Sequence, residues 1–137
     1  GFALPTRGRA LISVQDADKP AFLPVATDIR RLGFSILATP GTARFFSRHG
    51  LKTEIVPRAS VKSSLIRSIA ARKIHLVLNT FRSTAGHSDF RKIRRAAMIA
   101  GVPLITTAAA ARHAIEAIRS LQQKKDDLRC MQEFRRN

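Results

Sequence analysis

Short apolar runs alternate with stretches of helical periodicity along this chain, and that order limits the folds open to it. The runs are residues 10–14, 34–38, 54–56, 74–78 and 104–106. Between them, apolar residues recur every three or four positions. Phe22, Val25, Ala26, Ile29 and Leu32 form the first such series. Ala43, Phe45, Phe46 and His49 form the second, and Leu65, Ile66, Ile69 and Ala70 the third. Phe90, Ile93, Ala97 and Ala100 follow, and Ala111, Ala114, Ile115, Ile118 and Leu121 close the pattern. A three- or four-residue period is the mark of a helix with one buried face. A short, nearly continuous apolar run is the mark of a strand covered on both sides. The alternation therefore predicts an α/β fold in three layers, a five-stranded parallel sheet flanked by helices. Gly33, Gly50 and Gly101 stand where three of the helices should stop. Asp18 is placed to cap the first helix, with Pro20 in its first turn, and Ser88 or Asp89 to cap the fourth.

In open parallel sheets, ligands bind beyond the carboxyl ends of the strands, where the strand order reverses. The polar residues that end strands one, two, four and five are Ser13, Thr39, Asn79 with Thr80, and Thr106 with Thr107. They are expected at one edge. The sharpest feature there is Thr39-Pro40-Gly41-Thr42, which joins the second strand directly to a helix. The start of a helix presents unpaired N–H groups and the positive end of its dipole, which together attract anions. Gly41 lets a ligand approach the backbone, and Thr39 and Thr42 add hydroxyls. Capping alone also explains threonine and glycine at such a turn. Lys19 has the same two readings, a solvated lysine opening a helix or a point charge for a phosphate.

The sequence holds 25 Lys and Arg against 9 Asp and Glu, a net charge of +16. That balance favours polyanionic partners. There is no Trp or Tyr, and most of the eight Phe sit at positions that read as buried. A stacking surface for single-stranded nucleic acid is therefore poorly supported. One cysteine, Cys130, offers no disulfide partner, and His49, His75 and His113 lack metal-ligand spacing. The longest uncharged stretch, 96–111, holds Gly101 and Pro103 and falls short of the roughly 20 residues that span a bilayer. A cytoplasmic location is the expectation. The first residue is Gly1 instead of Met, so a trimmed chain or an excised domain is expected. Its parts read as a linker over 1–8, a domain over 9–121 and a charged tail over 122–137 that frays or packs on a missing partner.

Four segments together point to a family. They are Ile12-Ser13-Val14-Gln15-Asp16-Ala17-Asp18-Lys19, Ala38-Thr39-Pro40-Gly41-Thr42-Ala43, Leu78-Asn79-Thr80 and Ile93-Arg94-Arg95-Ala96-Ala97. In this order and spacing they resemble the methylglyoxal-synthase-like domain at the C-terminus of the carbamoyl phosphate synthase large subunit, over about residues 5–121. The resemblance implies a Rossmann-like sheet and an allosteric domain that binds nucleotide effectors such as UMP or IMP. It implies a parent ligase making carbamoyl phosphate from bicarbonate, glutamine and ATP, with Mg or Mn, for pyrimidine and arginine biosynthesis. The implied partners are the other domains of the large subunit, the glutaminase small subunit and further copies of the same subunit. A homodimer through a helix face is expected. Lys19, Thr39, Thr42, Asn79 and Thr80 match the family's phosphate- and nucleotide-binding positions, with Gly41 inside the same turn. Arg58 stands where the family usually has a lysine. Two segments depart from the pattern: Ala59-Ser60-Val61-Lys62-Ser63 replaces a Gly-Arg-Pro segment, and Phe81-Arg82-Ser83 replaces a small residue followed by Ser-Gly. Both bear on base and ribose contacts.

Methylglyoxal synthases use an aspartate base in a Gly-Asp segment and a later histidine. Here the corresponding loop reads Gly86-His87-Ser88-Asp89, which is not that motif. His87 reads as a loop residue and Asp89 as a cap, so no catalysis by this domain and no cofactor of its own are expected. The alternative function is a basic nucleic-acid-binding module. The cations are spread over nearly every helix and match no nucleic-acid motif, which favours the regulatory reading.

Overall fold

The computed structural model describes residues 4–56, 64–80 and 87–136, with the backbone alone for 87–90 and 134–136. The strands are β1 (Arg9–Ser13), β2 (Ser35–Ala38), β3 (Glu54–Ile55), β4 (Leu76–Asn79) and β5 (Leu104–Ile105). The helices are α1 (Lys19–Arg31), α2 (Pro40–Arg48), α3 (Ser64–Ala70), α4 (His87–Ala100) and α5 (Ala108–Arg136). All four strand pairs are parallel, in the order β3-β2-β1-β4-β5. The three-layer α/β expectation holds.

The alternation of side chains along each strand builds two cores. Ala10, Ile12, Ile36, Leu76 and Leu78 face one way, and meet Phe22 and Ile29 of α1, Phe46 of α2, and Ile115 and Ile118 of α5. Leu11, Leu37 and Val77 face the other way, and meet Leu65 and Ile69 of α3 and Ile93 and Ala97 of α4. A strand buried on both faces has no place for polar residues, which is why these runs are continuously apolar. The chain runs outward from β1 through β2 to β3 with its helices on one face. It then returns past β1 to β4 and β5 with its helices on the other. The reversal lies between β1 and β4, and the connections leaving these two strands diverge there.

Several local expectations need correction. Asp18 precedes α1 but makes no side-chain cap; its carboxylate instead accepts from Gln15 Nε2 at 2.6 Å. Residues Asp16–Asp18 form a 3-10 turn just before α1. α4 starts at His87, so Ser88 and Asp89 lie inside its first turn and His87 is helical. Leu121 is 37% exposed and does not join the buried face of α5, which keeps Ala111, Ile115 and Ile118. The segment beyond Gln122 is helical, because α5 continues to Arg136. Gln122 Nε2 donates to the carbonyls of Thr6 and Leu32, both at 2.8 Å, and Lys125 Nζ donates to Thr6 Oγ1 at 2.9 Å. These bonds also hold residues 4–8 on the fold, with Leu4 packed on the core, where a linker was expected. Thr107 directly precedes α5, its hydroxyl accepting from the Ala110 N–H at 3.1 Å.

Candidate functional site

The carboxyl ends of β1, β2 and β4 bring Ser13, Thr39, Asn79 and Thr80 together. Ser13 and Asn79 are register partners. The Thr80 N–H donates to the Ser13 carbonyl at 3.1 Å, and the Gln15 N–H donates to Thr80 Oγ1 at 2.9 Å. Thr39 Oγ1 lies 3.2 Å from Ser13 Oγ and 3.2 Å from Thr42 Oγ1. Asn79 is buried. Thr106 and Thr107 are exposed at the end of β5 and have no bond to this group among the described residues. Arg58 and the segments 59–63 and 81–83 lie outside the described residues.

Thr42 is 1% exposed and ties α2 to the end of β1. Its hydroxyl accepts from the Val14 N–H at 3.2 Å and donates to the Val14 carbonyl at 3.4 Å. Thr42→Val keeps the shape but removes the acceptor. A buried donor left unpaired costs about 1–3 kcal/mol, so urea unfolding should show a loss in that range. An unchanged midpoint would mean that the Val14 amide finds another acceptor.

The hydroxyls are therefore spent on one another and on the turn after β1. None of them caps α2: its N-cap is Thr39, with extended backbone and no side-chain hydrogen bond to a backbone N–H of the helix. The first intrahelical bond runs from the Ala43 N–H to the Thr39 carbonyl at 2.8 Å. Pro40 has no N–H, so Gly41 and Thr42 carry the free donors of the first turn. They form the positive end of the α2 dipole, with no acceptor among the described residues.

Lys19 adds a full charge at the same place. A Cβ built on Gly41 would stand 3.2 Å from Lys19 Nζ, so the ammonium sits over the first turn of α2. The Lys19 side chain is only 13% exposed. A shielded cation beside a helix N-terminus is unfavourable by itself, because both are positive and screening is reduced. The arrangement suits an anion. The counter-charge present is Asp16, whose Oδ1 lies 2.5 Å from Nζ. The hydrogen bond from Lys19, and then its charge, hold the Asp16 carboxyl below its ordinary 3.8. This pairing is present above 3.8 and lost as pH falls through the lowered value.

Lys19, Thr39, Gly41, Thr42, Asn79 and Thr80 are thus placed around one edge, at the reversal of strand order. Two neighbours were not in the sequence-derived set. Ser13 was read at the edge but not as part of the site. Asp16 gave no signal of its own, because its three-residue offset from Lys19 matters only once 16–18 forms a helical turn. An open groove of about 460 Å³ lies at the opposite edge, lined by Arg30, Phe34, Ser35, Lys52 and Thr53. It flanks the amino ends of β2 and β3, and the Arg30 guanidinium there already donates to the Lys52 carbonyl. Glu54 also lines the groove and pairs with Arg9 at 3.1 Å.

Residues 21–106 match the family model of the MGS-like domain. The chain belongs to this family. Among curated proteins, it is 41% identical over 138 residues to the C-terminal section of the carbamoyl phosphate synthase large chain of Methanopyrus kandleri, covering 98% of this chain and 25% of that protein. It is 38% identical over 128 residues to the section of the same name from Aquifex aeolicus, covering 93% and 24%. It is 36% identical over 135 residues to the carbamoyl phosphate synthase large chain of Nostoc sp., covering 98% and 12%. The chain thus spans an eighth to a quarter of the length of these relatives. Among solved structures, methylglyoxal synthase from Elizabethkingia anophelis superposes with a TM-score of 0.66 at 18% identity, covering 82% of this chain and 79% of that one. ForH superposes with a TM-score of 0.65 at 19% identity, covering 83% and 80%. These two share the fold of the MGS-like domain. No helix among the described residues is long and apolar enough to cross a membrane.

Proposed function

We propose that this MGS-like domain is the regulatory, effector-binding part of a carbamoyl phosphate synthase large chain, and that it binds phosphate-bearing nucleotides at the α2 N-terminus. One observation carries the reading: the shielded Lys19 ammonium lies over a first turn whose Gly41 and Thr42 N–H groups are free. The phosphate of a UMP- or IMP-class nucleotide satisfies both sources of positive potential at once. In this reading the domain does no chemistry itself. Its parent makes carbamoyl phosphate from bicarbonate, glutamine and ATP, with Mg or Mn, in the cytoplasm. The similarity to C-terminal sections of the large chain supports that parent. Exposed Met98 and Ile99 on α4, and Leu128 and Met131 on α5, supply apolar surface for its other domains or for a second copy.

Calorimetric titration with UMP, IMP and inorganic phosphate tests the reading. One site per protomer is expected, with nucleotide and phosphate excluding each other. Absence of binding, or nucleotide binding that phosphate does not compete with, would remove the phosphate from this turn. Arg91, Lys92, Arg94 and Arg95 form an exposed basic stretch on α4 and keep nucleic acid as a second reading. That reading gains if a duplex or single strand binds with steep salt dependence while mononucleotides do not bind.

A further inference from the structure

The turn before α1 carries two carboxylates with different surroundings. Asp18 is engaged with Gln15 Nε2. Asp16 is not: its side chain is 96% exposed, and its one hydrogen bond among the described residues is to Lys19 Nζ. Lys19 is the reverse case, 13% exposed and held over the first turn of α2. The fold therefore places the cation, and the carboxylate approaches it from solvent.

Resting on the anion-site reading above, we infer that Asp16 is a built-in competitor, a carboxylate that stands in for the incoming anion on Lys19 and must be displaced when phosphate binds. Three observations support competition over positioning. Lys19 is 13% exposed and stands over the first turn of α2, whereas Asp16 is 96% exposed. Asp16 contacts the ammonium and not the Gly41 or Thr42 N–H groups, so a phosphate has donors waiting that the carboxylate does not use. A carboxylate left within a few ångströms of a bound dianion repels it, more strongly as the anion's charge rises. The device weakens binding of any anion but leaves the site neutralised when empty. Asp16 thus sets the concentration of phosphate-bearing effector at which the site fills.

The test uses the full-length protein and inorganic phosphate, titrated calorimetrically at fixed pH and ionic strength. Asp16→Asn and Asp16→Ala should both bind phosphate about two- to five-fold more tightly than the parent sequence, the range of an exposed ion pair. In the Lys19→Ala background the gain from Asp16→Asn should vanish, because there is no ammonium to compete for. Equal affinities would overturn the inference while leaving the anion site in place. Weaker binding by both variants would overturn it in favour of Asp16 orienting Lys19. A gain that persists without Lys19 would make it a general charge effect and overturn it as well. If no version of the protein binds phosphate, the anion-site reading itself fails and takes this inference with it. Asp16 lies on the surface, so neither substitution puts folding at risk.

Discussion

Lys19→Ala should weaken binding of UMP, IMP and inorganic phosphate by roughly 10- to 150-fold. A hydrogen bond to a charged group contributes about 1.5–3 kcal/mol, and each 1.4 kcal/mol is about tenfold. The upper half of the range fits a lysine that is only 13% exposed, since little solvent screens its charge. The loss should be similar for nucleotide and free phosphate, because the substitution acts at the shared group. Stability should respond differently. Without a bound anion, the ammonium faces the positive end of α2, relieved among the described residues only by exposed Asp16. Removing it should leave the unfolding midpoint unchanged or slightly higher. Calorimetry and a thermal melt, each with and without phosphate, check both parts. A variant that binds nucleotide undiminished, or that loses affinity only because it unfolds, would contradict the assignment of Lys19. If the parent is regulated through this site, effector binding and its catalysis are coupled reciprocally, typically by about 1–3 kcal/mol.

The sheet was legible because both of its faces are covered. Runs such as Ala10-Leu11-Ile12 leave no solvent face, and their alternation with helical periods implies parallel pairing. The helix stops were legible for a backbone reason: Gly33, Gly50 and Gly101 all have positive φ, which other residues adopt at a cost. The turn at Thr39–Thr42 was legible because its residue types suit a strand entering a helix. What those residues do with their hydroxyls was not. Thr39 and Thr42 match helix caps in sequence, yet they bond to each other, to Ser13 and to Val14, a strand end far away in sequence. Capping was misread at Asp18 for the same reason, since Gln15 takes its carboxylate. Composition also misled at the C-terminus. Residues 122–136 are mostly charged and polar, yet they continue α5 with exposed side chains over 123–133, and Gln122 tethers the helix to Thr6 and Leu32. Segments 59–63 and 81–83, which the family resemblance links to the base and ribose contacts, lie outside the described residues.

Phe46→Ala should have the largest effect on stability, about 3–5 kcal/mol, the usual cost of emptying a buried phenylalanine site. Phe46 is fully buried in the core shared by α1, α2 and α5, and Phe45 meets its ring edge-on at 6.2 Å between centroids. Domains are commonly stable by only about 5–15 kcal/mol, so this one residue holds a large share. Its position also matters for the site. Phe46 lies one helical turn beyond Thr42 and fixes how the first turn of α2 meets the end of β1. An α2 that shifts into the vacated space should misplace the Gly41 and Thr42 N–H groups relative to Lys19. The variant should therefore lose phosphate affinity as well as stability, although Phe46 offers the anion no polar group. Urea unfolding with and without phosphate separates the two effects. An anion at 100 times its dissociation constant stabilises the folded state by about 2.7 kcal/mol. At the phosphate concentration that gives this gain in the parent sequence, Phe46→Ala should gain less. Equal gains would show that α2 keeps its place without its largest buried anchor, and that the site is held by Thr42 and β1 alone.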